Sequence, residues 1–302
     1  MFKFIFGPVS SRRFGLSLGV DLSPNKKQCN FDCLYCELKG AKAVDTMQNP
    51  PPPKEIIDEI KRALEKYPDV DVITVTANGE PMLYPHLKEL AQQINAFKNN
   101  KKLLILSNGA LINDKSVQEA LLEFDIVKLS LDAVTPRVFK KLDRAHKSVN
   151  LERMLEGTKE FACNFKNELV LETLVIKNIN DTRDDFLALN RVVNEIKPSR
   201  IDLGTIDRPS AYKVSPVSFE TLEILSREIE HIPLVIIKRN RIKNQKEFSC
   251  NEIIELLRRR PQSAEDIDDL FDEKSKIQLN KLLNEGKANI VNAAGVIFYK
   301  IS

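Results

Sequence analysis

The chain has 302 residues, a hydrophobic content of 42%, a charged content of 29% and a formal net charge of +3. This is an ordinary soluble globular balance, long enough for one large domain or one domain with a small appendage. The charge is too small to signal a nucleic-acid or membrane partner by itself, and no run approaches the roughly 20 apolar residues of a membrane span. The first residues, MFKFIFGPVSSRR, are apolar before they are basic, the reverse of a secretory leader, so a cytoplasmic protein is expected. Of five cysteines, three sit together and two, Cys163 and Cys250, stand alone. That is a poor disulfide framework; the lone pair read as inert buried thiols, and the cluster reads as metal-binding or catalytic.

Residues 16–22 (LSLGVDL) read as a first strand, followed by a cysteine-bearing loop. Four prolines at 50–53 form a stiff connector that sets the start of the next helix. Residues 54–66 place Ile56, Ile57, Ile60, Ala63 and Leu64 on one helical face. Strands are expected at 70–76, 103–107, 126–131, 169–176 and 201–206, with helices at 86–97, 114–124, within 136–163 and at 182–196. Pro198 stops the last of these, and Asn108-Gly109 and 178–181 are turn signals.

Strand then helix, six times over, argues for a parallel sheet with crossover helices. Runs such as LLIL and LVIIK fit burial on both faces. Six units fall short of the eight of a closed barrel, so an open α/β partial (β/α)6 barrel is expected. In such sheets chemistry sits at the carboxyl ends of the strands.

Residues 218–231 add a helix with Ser218 as its N-cap, and 234–237 add a strand. Lys238, Arg239, Arg241, Lys243 and Lys246 form a basic stretch with no acid between them. Two domains are expected, at 1–240 and 247–302. In the second, Ser249 and Glu252 make a capping box for a helix ending near Arg260; Ser263 and Asp266 open another, and 273–284 a third closed by Gly286. Two strands about a Gly turn follow. Three helices and a hairpin are the order of a small winged-helix-like domain. Its eight Lys and Arg stand against ten Asp and Glu, the wrong sign for generic phosphate binding.

The cysteine loop reads Cys29-Asn-Phe-Asp-Cys33-Leu-Tyr-Cys36. Three thiolates on one short loop can hold three irons of a cubane and leave the fourth open to the amino and carboxylate groups of a small molecule. A structural zinc site would need a fourth closed ligand, and the next His is His86.

Cys-x3-Cys-x-aromatic-Cys resembles the signature loop of the radical S-adenosylmethionine (SAM) superfamily. Asn78-Gly79-Glu80-Pro81 resembles its Gly-Gly-Glu-Pro, Ser107-Asn108-Gly109 its Thr-Asn-Gly, and Ser130-Leu131-Asp132 its Ser-Leu-Asp. The likeness covers about residues 1–240. Phe6 to Arg13, Leu18 to Asp21 and Asp207-Arg208-Pro209 resemble, more narrowly, a bacterial subgroup of unassigned substrate related to the wyosine tRNA-base synthases.

The resemblance implies a [4Fe–4S] cluster on Cys29, Cys33 and Cys36, and S-adenosyl-L-methionine as second cofactor. It implies a one-electron donor such as flavodoxin or ferredoxin. Tyr35 is then expected near the adenine; Asn78, Gly79 and Glu80 at the SAM amino group; and Ser107, Asn108, Ser130 and Asp132 near the ribose or the carboxylate. Asn78 replaces the family's first Gly, and Asn tolerates positive φ. Arg12, Arg13 and Arg208 are candidates for carboxylate contacts, against the plainer reading of structural ion pairs. His86 and His146 read as structural or surface groups. Three functions compete: an RNA-modifying radical enzyme, a peptide- or metabolite-modifying one whose C-terminal domain docks a protein, and a non-catalytic iron–sulfur regulator that binds DNA.

Overall fold

The structure is a computed structural model and describes residues 2–11, 13–237, 245–259, 261–293 and 296–301. Eight strands form one sheet in the order β1 (Ile5–Ser11), β2 (Gly15–Asp21), β3 (Val72–Thr76), β4 (Lys102–Ser107), β5 (Ile126–Ser130), β6 (Glu168–Val175), β7 (Arg200–Thr205) and β8 (Leu234–Ile236). From β2 onward every pairing is parallel. The expected six-stranded partial barrel is therefore β2–β7, extended at one side by β8. At the other side β1 pairs antiparallel with β2, a strand the sequence reading did not include. Its run IFGPVSS is interrupted by Gly7-Pro8, and its register with β2 shifts between Phe6 and Val9. Proline belongs on sheet edges, and β1 is an edge.

Alternation along the strands separates two faces. Ile73, Val75, Ile105, Val127, Leu129, Leu171 and Leu203 join the main core with helices α1 (Pro53–Lys66), α2 (Leu87–Asn95), α3 (Lys115–Leu121), α4 (Pro136–Leu142), α5 (Leu151–Asn164) and α6 (Arg183–Ile196). Val72, Leu104, Ile126 and Val170 form a separate small cluster with Phe14 on the inner face. The inner face is not wholly apolar: Lys128, Glu172 and Asp202 lie on it, and Leu106 is exposed there. Local signals set the helix starts. Pro53 occupies the first turn of α1, and Asp114, Asn150 and Thr182 each accept a backbone N–H at the start of α3, α5 and α6. Lys197, in the left-handed region at φ 55°, ends α6 before Pro198.

After α7 (Phe219–Ser226), capped by Ser218 as expected, come α8 (Cys250–Arg259), β9 (Gln262–Ser263), α9 (Ala264–Leu270), α10 (Glu273–Asn284), β10 (Ala288–Ala293) and β11 (Val296–Ile301). The three helices and the hairpin come in the expected order. The short β9, which was not expected, pairs with β11 in a three-stranded antiparallel sheet. These elements bury their own cluster, with Phe248, Ile253, Leu256, Leu257 and Phe271 almost fully covered. The capping boxes at Ser249/Glu252 and Ser263/Asp266 both form. Of the basic stretch, Lys238, Arg239, Arg241 and Lys243 lie outside the described residues, as do Arg12 and Arg260. Among the described residues no helix is long and apolar enough to cross a membrane.

Candidate active site at the carboxyl edge of the sheet

The cysteine loop leaves β2 and is fastened at once to the turn after β3. Gln28 N–H donates to the Asn78 carbonyl at 2.9 Å, and Glu80 N–H donates to the Gln28 carbonyl at 2.9 Å. Between them Gly79 sits at φ +141°, and a Cβ there would lie 1.8 Å from the Gln28 carbonyl oxygen. Only glycine permits so close an approach. The Gln28 amide also clasps the returning chain, accepting from Gln48 N–H at 2.6 Å and donating to the Gln48 carbonyl at 3.2 Å.

The three thiols are half-buried on this loop. Around them stand donors suited to sulfur. Phe31 N–H is 3.4 Å from Cys29 Sγ, Asn108 Nδ2 is 3.6 Å from the same atom, and Lys27 Nζ is 3.4 Å from Cys36 Sγ. Cys33 Sγ faces Asp143 Oδ1 at 3.9 Å. Burial pushes the Cys29 thiol up to about 12, with Glu80 adding to the rise, and burial and Asp143 hold Cys33 well above the usual thiol range. The thiolate is the form that binds metal, so a metal held by Cys29 and Cys33 would have to displace their protons. Among the described residues no three His, Cys, Asp or Glu groups converge on a single metal ion. A cubane asks for a different donor set, one thiolate on each of three irons, and these three sulfurs with N–H donors about them suit it.

Glu80 is 1% exposed, and its carboxylate accepts three bonds: from Ser107 Oγ at 2.6 Å, Met82 N–H at 2.8 Å and Asn108 N–H at 2.8 Å. It thus braces the turn after β3 against the turn after β4. Burial raises its carboxyl to about 7 despite those bonds. Asn108 continues the network, its amide donating to Asn30 Oδ1 at 2.7 Å. Across the edge, the Tyr35 hydroxyl donates to Asp132, whose other oxygen accepts Leu174 N–H at 2.6 Å. Burial likewise lifts Asp132 to about 7.

The structure therefore brings Cys29, Cys33, Cys36, Tyr35, Asn78, Gly79, Glu80, Ser107, Asn108 and Asp132 to one edge. Ser130 ends β5 opposite Glu172, and among the described residues no side-chain hydrogen bond ties it to that network. Arg208 is not free for a carboxylate: it is 6% exposed, donates to the Pro261 carbonyl and pairs with Glu37 at 3.6 Å and Asp266 at 3.2 Å. Arg13 faces Asp202 at 3.7 Å on the inner wall. Both follow the plainer reading of structural ion pairs. Cys163 is exposed and Cys250 half-buried, so neither is the buried thiol expected. His86 lies beside Glu89 at 3.9 Å, and His146 beside Ser148 at 2.8 Å. Gln28, Lys27 and Asp143 were not anticipated; nothing in their local sequence marks them, because their partners arrive from elsewhere in the chain.

Comparison with known proteins fits this arrangement. Residues 27–189, just over half of the chain, match the Radical SAM superfamily. The chain belongs to that superfamily, whose members are enzymes that use a [4Fe–4S] cluster and SAM and generally need an electron donor. A UPF0026 protein of Helicobacter pylori is 42% identical over 298 residues, 98% of this chain and 96% of its own length. In fold the chain is similar to SuiB of Streptococcus suis, with a TM-score of 0.57 at 18% identity, covering 82% of this chain and 56% of that one. It is similar also to a radical SAM methyltransferase from Sphaerobacter thermophilus, with a TM-score of 0.58 at 15% identity, covering 74% and 67%. Membership of an enzyme superfamily leaves the reading as a non-catalytic regulator without support.

Proposed function

We propose that Cys29, Cys33 and Cys36 hold the [4Fe–4S] cluster and that the strand-end network beside them holds SAM. The observation that carries this reading is the seating of the cysteine loop on the turn after β3 through Gly79, with Asn108 from the next turn reaching Cys29. When bound, the cluster supplies the electron that breaks a carbon–sulfur bond of SAM, giving the 5′-deoxyadenosyl radical that takes hydrogen from a substrate.

The chain's own residues bind and orient. Lys27 and Asn108 donate toward sulfur and offset the negative charge that thiolates bring. Glu80 acts first as a strut; its three internal bonds leave one acceptor position, so the SAM ammonium falls mainly to backbone carbonyls of that turn. Tyr35 and Asp132 form the polar wall for the nucleoside. Glu80, Asp132 and Asp143 are buried with no cation paired to them among the described residues, and SAM carries two cationic groups.

For the substrate we favour RNA, on the likeness to the wyosine tRNA-base synthases; a peptide or small metabolite is the alternative. The acidic balance of the C-terminal segment favours protein docking or structural support there over phosphate binding.

Anaerobic reconstitution tests the reading. The wild-type chain should take up about four irons and form 5′-deoxyadenosine from SAM under a strong reductant, and Cys29→Ala, Cys33→Ala and Cys36→Ala should each lose both properties. A reconstituted chain that carries its cluster but leaves SAM intact sinks the reading. Stimulation by tRNA, or by a protein fraction, then separates the substrate classes.

A further inference from the structure

From Leu22 to Pro52 the chain has no helix and, apart from a bridge at Gln28, no strand, yet it presents the three sulfurs together. A segment of that kind is ordered by contacts from outside it. Two different parts of the molecule supply them. The first half of the segment hangs on the barrel. Gln28 is tied to the turn at Asn78 and Gly79, Asp32 N–H donates to the Asp143 carbonyl at 3.0 Å, Leu34 N–H donates to the Leu142 carbonyl at 3.0 Å, and the Tyr35 hydroxyl donates to Asp132. Cys29 and Cys33 lie within this stretch. At Cys36 the support changes. Its carbonyl accepts Ala211 N–H at 2.7 Å, from the loop between β7 and α7. The Tyr212 hydroxyl donates to Asp32 at 2.6 Å, and a Cβ on Gly40 would lie 2.4 Å from that hydroxyl oxygen, so this loop lies close along the cysteine segment.

The loop is held in turn by the C-terminal segment. Arg208 is 6% exposed and stands between three parts of the chain. Its Nε lies 3.6 Å from Glu37, the residue after Cys36; one terminal nitrogen donates to the Pro261 carbonyl, and the other donates to Asp266 at 3.2 Å. Asp266 is itself fixed. The same oxygen accepts Ser263 N–H at 2.9 Å, and Asp266 N–H donates to Ser263 Oγ at 3.0 Å, which is the capping box of α9. The segment also has a separate seat, at the end of α1 and on β1. Glu252 of α8 pairs with Lys66 and accepts the Tyr67 hydroxyl at 3.2 Å, and Val9 packs on the segment's apolar cluster.

We propose that the C-terminal segment braces the third thiol through Arg208, which makes Arg208 a positioning residue for Cys36. The proposal rests on the reading of Cys29, Cys33 and Cys36 as cluster ligands. A cluster site keeps its geometry only when the groups around its ligands are locked in their turn. The lock on Cys29 and Cys33 belongs to the barrel. The lock on Cys36 runs from Asp266 to Arg208, then to Glu37 on one branch and along the loop to Ala211 on the other. Breaking a buried ion pair leaves an uncompensated charge, so a change at either end of the Arg208–Asp266 pair loosens this loop, while the second seat keeps the C-terminal segment in place. The role needs no nucleic acid, in keeping with the acidic balance of the segment.

The five cysteines report on the brace. Full-length, metal-free wild type, Asp266→Asn and Arg208→Met are exposed briefly to iodoacetamide, and each thiol is scored by peptide mass spectrometry. Asp266→Asn keeps an oxygen for the cap and lies far from Cys36 in the chain, yet it should speed alkylation of Cys36 at least about 5-fold, and Arg208→Met should do so more strongly. Cys29 and Cys33 should keep their wild-type rates, as should Cys250, which sits in α8 and reports the folding of the C-terminal segment. Asp266→Glu, which preserves both the charge and the capping box, should stay within about 2-fold of wild type. On the reconstituted chain, iron should pass to a chelator faster in Asp266→Asn and Arg208→Met by a similar factor. An unchanged rate at Cys36, or iron held as firmly as in wild type, overturns the proposal. So does a rise that Cys29, Cys33 or Cys250 shares, or one as large in Asp266→Glu as in Asp266→Asn. Should wild type take up no iron at all, the cluster reading fails, and the alkylation pattern still decides the brace.

Discussion

Asp202, on the inner wall of the sheet, is wholly buried and faces Arg200 at 2.9 Å, Lys128 at 3.2 Å and Arg13 at 3.7 Å. Glu80, at the carboxyl edge, is almost as deeply buried and accepts only uncharged donors. The same contrast holds more widely. On the wall, Glu172 pairs with Lys128 at 2.6 Å, and Glu168 pairs with Arg200. At the edge, Asp132 and Asp143 have no cation among the described residues, and each lies in the other's field, which with burial keeps Asp143 well above the usual carboxylate range. A buried charge is tolerated when partnered and costly when not. On the wall each of these acids has a cation beside it, whereas the edge carries acids whose natural complement is a cationic ligand. Within one sheet, that difference separates framework from site.

The lattice should fail first when a cation is removed. Lys128→Met leaves Glu172 without its partner and Asp202 with two guanidinium groups, and breaking a buried pair costs about 3–5 kcal/mol. Urea denaturation of the metal-free chain measures it. Adding Glu172→Met should recover part of the loss, because both members of the pair are then gone. A variant as stable as wild type would show that the wall acids need no compensation, and the contrast with the edge would disappear.

At the edge the effect is one of pH. The folded chain holds the Glu80 proton up to about 7, against 4.5 ordinarily. Its contribution is fully present below pH 4.5 and is lost as pH rises to about 7, on the order of 3 kcal/mol by linkage. In Glu80→Gln this part of the slope should vanish. Thermal unfolding of metal-free wild type and variant across that window compares them, and parallel curves would place Glu80 among the compensated acids.

The edge was far more legible in the sequence than the wall. Each motif at the edge follows a strand that apolar runs announce, and turns such as Asn108-Gly109 mark where strands end. Even there the bonds were hidden. Tyr35 meets Asp132, and Gln28 meets Asn78 and Gly79, only because neighbouring strands bring distant segments together. On the wall, Lys128, Glu172 and Asp202 read one at a time as polar residues interrupting apolar strands; that they form one lattice depends on the strand order and register. Arg208 shows the same limit, since its partners Glu37, Pro261 and Asp266 all lie far from it in the chain. The edge strand β1 was obscured by the Gly7-Pro8 interruption that suits it to an edge.

The smallest expected effect is at Asp132. Asp132→Asn keeps an oxygen for Leu174 N–H and an atom of the same size against Tyr35, so the fold should persist. What it removes is an acidic acceptor beside the proposed nucleoside wall. Charge-assisted hydrogen bonds are roughly twice as strong as neutral ones, so SAM affinity should fall about 10-fold, near 1.4 kcal/mol. Equilibrium dialysis of SAM against the reconstituted chain measures it, alongside 5′-deoxyadenosine formed at saturating SAM, which should change less than the affinity does. If affinity is unchanged while unfolding stability drops, Asp132 belongs with the wall acids as framework. The edge would then be defined by the thiols and the Gly79 turn alone.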